Sequence, residues 1–204
     1  VFTDYQRFPQ QETLEISLTP NRGDAASHLG VARDLSAYLD IPVQYPDISA
    51  FTVEQTGKPV EIRIADQQQC PRYSGLVISD LTVGSSPKWL QHRLKAVGLQ
   101  PVNNIVDVTN YVMMEWGHPL HAFDYEQING SALHICQGQQ GASITTLDGV
   151  QRTLSGKELM IADEQQNLAM AGIMGGQASG IGKDTNTIFL ESACFDSTTI
   201  RKAA

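Results

Sequence analysis

"SITTLDGVQRTLSGKELMIADEQQNLAMAGIM", residues 143–174, contains two hairpins in succession. The first spans "SITTLDGVQRTL" and turns at Asp148-Gly149, a pair that accepts the positive φ of a tight turn. The second, "ELMIADEQQNLAMAGIM", joins two apolar runs through a polar turn. Beyond residue 130 the chain therefore reads as mostly β, closed by a strand in "NTIFLESACF" (186–195).

Working back from there, the pattern changes. "SSPKWLQHRLKAVG" (85–98) predicts a helix capped by Ser86, with Pro87 in its first turn and Gly98 at its end. "DVTNYVMMEWG" (107–117) predicts another, with Val108, Val112 and Met113 inward and Gly117 closing it. "VEIRIAD" and "YSGLVIS" alternate as strands. Near the start, "ETLEISLTPNRGD" (12–24) is a strand that turns at Pro20 to Asp24, and "SHLGVARDLSAYLD" is a helix capped by Ser27 or Asp24. Two prolines break the pattern in "IPVQYPDIS". Strands and helices in this order give an α+β class, with a β-rich, mixed or antiparallel main body holding several helices, preceded by a short helical piece.

Composition narrows the classes. The chain has 204 residues, 41% of them hydrophobic and 18% charged, as an ordinary globular protein has. A net charge of −8 argues against broad, salt-driven coating of nucleic acid but allows a directed contact with one RNA end. No apolar run is long enough for a membrane span, and the start lacks the features of a signal peptide. The cysteines Cys70, Cys136 and Cys194 are scattered and form no CxxC pair, which fits a reduced, cytoplasmic setting. Both ends read as cuts through a longer protein.

Several residues are candidates for chemistry. "WGHPLHAFD" (116–124) spaces His118, His121 and Asp124 by threes, but Gly117 and Pro119 break the helix that would align them as metal ligands. A histidine positioning a water fits the segment without a metal. In "AGIMGGQASGIGKD" (171–184) no phosphate-loop pattern is present. Its Gly175 and Gly176 still let a ligand reach bare backbone N–H groups, which can hold a carbonyl or a developing oxyanion. Glu191 follows the apolar "TIFL": it is either a solvated strand end or an acceptor in an apolar cavity that recognises a hydroxyl. Thr109 and Asn110 are either an ordinary polar helix face or a donor and acceptor pair for a ribose hydroxyl or a water.

"EISLTPNRGDAASHLGVARDLSAYL", "DVTNYVMMEWGHPLHAFD", "LDG", "IADEQQNLAMAGIMGG" and "IFLESACFDSTTIRKAA" together resemble the beta subunits of bacterial phenylalanyl-tRNA synthetases, in the family's order and over almost the whole chain. The resemblance implies that residues 1–45 end a small preceding domain, 46–58 form a linker, and 59–204 form an editing module that continues past residue 204 in the family. It implies a pocket lined by Thr109 and Asn110 of "DVTNYV", His121 of "HAFD", Gly175 with its neighbour Gly176, and Glu191, with the glutamate on a tyrosine hydroxyl and the histidine near the ester. His118 matches no family site.

The implied activity is hydrolysis of tyrosine wrongly attached to the phenylalanine tRNA. The implied partners are the acceptor end of that tRNA and an alpha subunit, two of each subunit in the parent enzyme. No cofactor is expected in this stretch; ATP and magnesium are expected for the parent's synthetic reaction. The alternatives are a non-catalytic scaffold and an RNA-binding module, with a metallohydrolase last.

Overall fold

The computed structural model describes residues 2–8, 11–54 and 60–204. It is a mixed α+β protein whose Cα packing separates two compact units, residues 1–55 with 84–120 and residues 56–83 with 121–204. By Cα packing the chain passes from the first unit to the second within the stretch expected as a linker, 46–58, and residues 84–120 pack with the first unit. The stretch 84–120 carries the buried Leu90, Leu94 and Ile105. Residues 55–58 of the expected linker lie outside the described residues.

In the first unit β1 (Phe2–Phe8) and β2 (Gln11–Ile16) form an antiparallel hairpin. Helix α1 (His28–Leu39) follows, its first turn closed by Ser27, whose side chain accepts from the Gly30 N–H at 2.9 Å. Gly30 has no substitute here, since a Cβ would stand 2.3 Å from the Asp24 carbonyl oxygen.

Helix α2 (Lys88–Ala96) begins at Pro87 without a side-chain cap. Ser86 is not the expected cap because its hydroxyl donates to the buried Asp107 carboxylate at 2.5 Å. The far end is as expected: Gly98 takes φ +82, and Gly98 and Leu99 donate back to Lys95 and Leu94. Helix α3 (Asn104–Trp116) is capped by Asn103, which accepts from the N–H groups of Ile105 and Val106. Val108 does not point inward as expected and is 50% exposed. Asp107 holds the buried position instead, satisfied by Ser86 and the Val102 N–H.

The second unit is built of sheets. Its strands are β3 (Glu61–Ile64), β4 (Arg72–Ile78), β5 (His121–Asp124), β6 (Ala132–Gln137), β7 (Ser143–Thr145), β8 (Gln151–Thr153), β9 (Leu159–Ala162), β10 (Asn167–Met170), β11 (Met174–Gly175) and β12 (Ile188–Cys194), followed by helix α4 (Ser197–Ala203). One sheet has the order β11-β10-β9-β6-β3, with β3 and β6 parallel and the other pairs antiparallel. A second is β4-β12-β5, antiparallel throughout, and β7-β8 is the hairpin turning at Asp148-Gly149.

The second hairpin, β9-β10, turns at Asp163, whose carboxylate accepts from the N–H groups of Gln165 and Gln166. Phe123, Leu133, Ile135, Leu159, Ile161, Leu168 and Phe189 are buried in one cluster drawn from both larger sheets. Among the described residues no helix is long and apolar enough to cross a membrane.

Candidate functional site

Strand register brings Glu191 and His121 together. In the β12-β5 ladder they are direct partners, so their side chains leave the sheet on the same face. On the other flank Glu191 pairs with Gly75 of β4. Glycine is required there, because a Cβ would lie 2.0 Å from the ring of Phe189, which covers that position.

Glu191 is only 6% exposed and is not a solvated strand end. Its Oε2 accepts a hydrogen bond from the Tyr73 hydroxyl at 2.8 Å. Loss of solvation pushes its carboxyl up to about 7, against the opposing pull of the Tyr73 hydrogen bond. The result is an acceptor in apolar surroundings that titrates near neutrality.

His121 opens β5 and does not sit in an open loop. Its ring packs edge-on against Phe123 with centroids 4.5 Å apart. Burial alone pushes its pKa down to about 4, so the imidazole is neutral at pH 7. Its Nε2 is buried without a hydrogen-bond partner among the described residues. A neutral ring nitrogen with nothing to bind can hold a water or take up a proton.

The two glycines have separate tasks. A Cβ on Gly175 would come within 2.6 Å of His121 Cε1, so the absent side chain makes room for the imidazole. The N–H of Gly176 donates to the Leu168 carbonyl at 2.7 Å. It is therefore engaged in the fold, which corrects the expectation of two free N–H groups for an oxyanion. A Cβ there would lie 2.4 Å from the same carbonyl oxygen.

The structure thus gathers Glu191, His121 and Gly175 in the second unit, and adds Tyr73 and Gly75, which the sequence reading missed. Its only hint was "YSGLVIS" as a strand with Tyr and Gly two apart, hence on one face. Thr109 and Asn110 lie half-buried on α3 in the first unit. The Thr109 hydroxyl donates back to the Val106 carbonyl of its own helix at 2.8 Å. His118 is exposed. Asp124 caps the turn that follows it, accepting from the Glu126 N–H and the Thr185 hydroxyl. Among the described residues no group of three His, Cys, Asp or Glu is placed to hold a metal ion.

A mixed α+β unit with a buried acceptor and a neutral imidazole, whose Nε2 has no partner among the described residues, on one sheet face suits recognition of a small polar group. Residues 69–204 match the B3/4 domain, and the chain belongs to that family. More particularly, it is 46% identical over 207 residues to the phenylalanine–tRNA ligase beta subunit of Porphyromonas gingivalis, covering 98% of this chain and 25% of that protein. The protein of the same name from Geobacter sulfurreducens is 46% identical over 195 residues, covering 94% of this chain and 24% of that one.

The chain thus spans about a quarter of the length of these relatives. It also shares a fold with an N-terminal fragment of the phenylalanyl-tRNA synthetase beta subunit from Pyrococcus horikoshii, at a TM-score of 0.52 and 15% identity. That match covers 99% of this chain and 61% of the other.

Proposed function

We propose that this chain is the proofreading part of a phenylalanyl-tRNA synthetase beta subunit, hydrolysing the ester of tyrosine mischarged onto the phenylalanine tRNA. The observation that carries this reading is the buried Glu191 carboxylate paired across the strands with His121, whose Nε2 lacks a partner among the described residues.

A phenylalanine pocket rejects an isostere bearing one more hydroxyl by only about a hundredfold, so a second selection is needed. A buried acceptor reverses the preference. The tyrosine hydroxyl donates to Glu191, whereas phenylalanine leaves that acceptor capacity unmet, a difference of about 1–3 kcal/mol. The aminoacyl ester is already activated, so hydrolysis needs a placed water and little further chemistry. His121 Nε2 holds that water near the carbonyl carbon. The hydroxyl of the terminal ribose is available to relay the proton to the leaving oxygen. Roles for Thr109 and Asn110 rest on the resemblance of "DVTNYV" alone.

In the parent enzyme this part works beside an alpha subunit, in an assembly of two alpha and two beta chains, in the cytoplasm. ATP and magnesium serve the synthetic reaction there. The test is hydrolysis of Tyr-tRNA by the full two-subunit enzyme carrying this sequence, with and without Glu191→Ala. No hydrolysis by either protein would refute the proposal in favour of a scaffold or RNA-binding role, and equal, measurable rates would remove Glu191 from it.

A further inference from the structure

Glu191 already has a phenol on it. Tyr73 stands opposite Ala193 in the β4-β12 ladder, and Gly75 stands opposite Glu191. The phenol therefore reaches diagonally along the sheet face, past positions that carry only a methyl group and a hydrogen. Its ring is held edge-on by Phe195, centroids 6.5 Å apart at 63°. Its hydroxyl donates to Glu191 Oε2 at 2.8 Å. Burial and the nearby carboxylate both raise the pKa of that hydroxyl, so it keeps its proton and remains a donor.

We infer that Tyr73 is a positioning residue for tyrosine selection: its hydroxyl fixes Oε2 of Glu191 and holds the carboxylate as an acceptor, leaving Oε1 for the hydroxyl of the substrate. This rests on the proposed role of Glu191. The need for such a device follows from burial. A carboxyl deprived of water tends to keep its proton, and a protonated carboxyl offers a donor where the substrate phenol needs an acceptor. A fixed phenol donor favours the ionised form and removes the freedom of the side chain to turn away.

The groups facing the carboxylate are Tyr73 from β4, His121 from β5, and Cys70 from the segment before β4. His121 is neutral above about pH 4, and the Cys70 thiol is pushed up to about 11 by burial first and by Glu191 second. Neither changes charge near neutrality, and among the described residues no charged side chain shifts Glu191. The Glu191–Tyr73 pair alone sets the profile there.

The experiment uses the full two-subunit enzyme with wild-type chain, Tyr73→Phe or Glu191→Gln. Hydrolysis of Tyr-tRNA and Phe-tRNA is followed from about pH 5.5 to about pH 9, with the enzyme-free rate subtracted. Tyr73→Phe keeps the ring and its packing. It should move the midpoint of Tyr-tRNA hydrolysis upward by about one pH unit and cut the preference for tyrosine about tenfold at neutral pH, with recovery at higher pH.

An unchanged midpoint and preference would overturn the inference. So would a lower melting temperature and rate with no movement of the midpoint, which is what a purely structural tyrosine gives. Glu191→Gln separates the two levels. If it abolishes the midpoint while Tyr73→Phe does nothing, only the role of Tyr73 falls. If it leaves preference and midpoint as in wild type, the role of Glu191 falls, and that of Tyr73 with it.

Discussion

Glu191 and His121 are direct cross-strand partners, yet burial drives them in opposite directions, the carboxyl up to about 7 and the imidazole down to about 4. Both shifts have one origin, the loss of water around a group that would otherwise be charged. At pH 7 the pair consists of an acid near its midpoint and a base that carries no proton to repel one. This suits a site that must accept a hydrogen bond and steer a neutral water. It does not suit an ion pair.

Removing the acceptor should erase selection before it erases hydrolysis. Glu191→Ala is expected to lower the preference for Tyr-tRNA over Phe-tRNA by about 1.5–3 kcal/mol in kcat/KM, as for a hydrogen bond to a charged group. Glu191→Gln keeps an acceptor oxygen and should lose less. Competition between the two charged tRNAs in one reaction reads this directly, and a preserved preference in the Ala variant would end the selector role.

The same carboxyl ties folding to pH. Between its ordinary value of 4.5 and its folded value of about 7, the folded chain holds a proton that the unfolded chain has released. Its contribution is therefore fully present below 4.5 and is lost as pH rises through 7. His121 has the opposite sign: its folded value of about 4 lies below the ordinary 6.5, so stability is lost as pH falls through that window. Glu191→Gln should abolish the first dependence and keep the second. Relative to wild type it should gain up to about 3 kcal/mol as pH rises from 4.5 to 7. Thermal melting across that range measures it, and parallel curves for the two proteins would contradict it.

Much of the fold was legible because its signals are local. Asp148-Gly149 and the polar turn at Asp163 announce their hairpins within a few residues, and Ser27, Gly98 and Gly117 mark helix ends by their own chemistry, whereas the Asn103 cap, ahead of the expected start of α3 at Asp107, went unread. Several misreadings turn on a partner outside the local run. Ser86 looks like a cap until Asp107, 21 residues on, takes its hydroxyl. Gly176 looks like a free donor until the Leu168 carbonyl is placed against it. Tyr73 and Glu191 are 118 residues apart, and only the antiparallel register of β4 and β12 joins them. Periodicity tells which residues share a face of one strand, but not which strand lies beside it.

Gly175 should resist even the smallest side chain. Gly175→Ala places a methyl group 2.6 Å from His121 Cε1 and 2.9 Å from Leu147 Cδ1. The imidazole also packs against Phe123, centroids 4.5 Å apart, which limits how far it can give way. Overpacking of this kind costs about 1–3 kcal/mol, and the displaced ring should lose its water. Hydrolysis of Tyr-tRNA should fall while the folded chain persists at a lower melting temperature. A variant with wild-type melting and wild-type hydrolysis would mean that the ring does not depend on this glycine.

His121→Ala tests whether the imidazole works or merely fills space. A buried polar nitrogen without a partner costs stability, of the order of 1–3 kcal/mol, so its removal offsets part of the packing lost with the ring. The melting temperature should therefore fall less than for the loss of an equally buried aromatic ring. Hydrolysis of Tyr-tRNA should drop by about 10²–10⁴ if the ring assists proton transfer, and by less if it only orients water. Attachment of phenylalanine to tRNA by the parent enzyme should be unchanged. His118→Ala, at an exposed position three residues away, is the control and should hydrolyse Tyr-tRNA at the wild-type rate. Parallel loss of both activities in His121→Ala would assign the residue to folding. The pH profile divides the remaining cases. A ring acting as base requires activity to fall as pH drops toward about 4, below the Glu191 midpoint near 7, so wild type should show two acid limbs and Glu191→Gln only the lower one. A single limb in wild type that vanishes in Glu191→Gln would leave His121 the task of holding water, with the ribose hydroxyl carrying the proton.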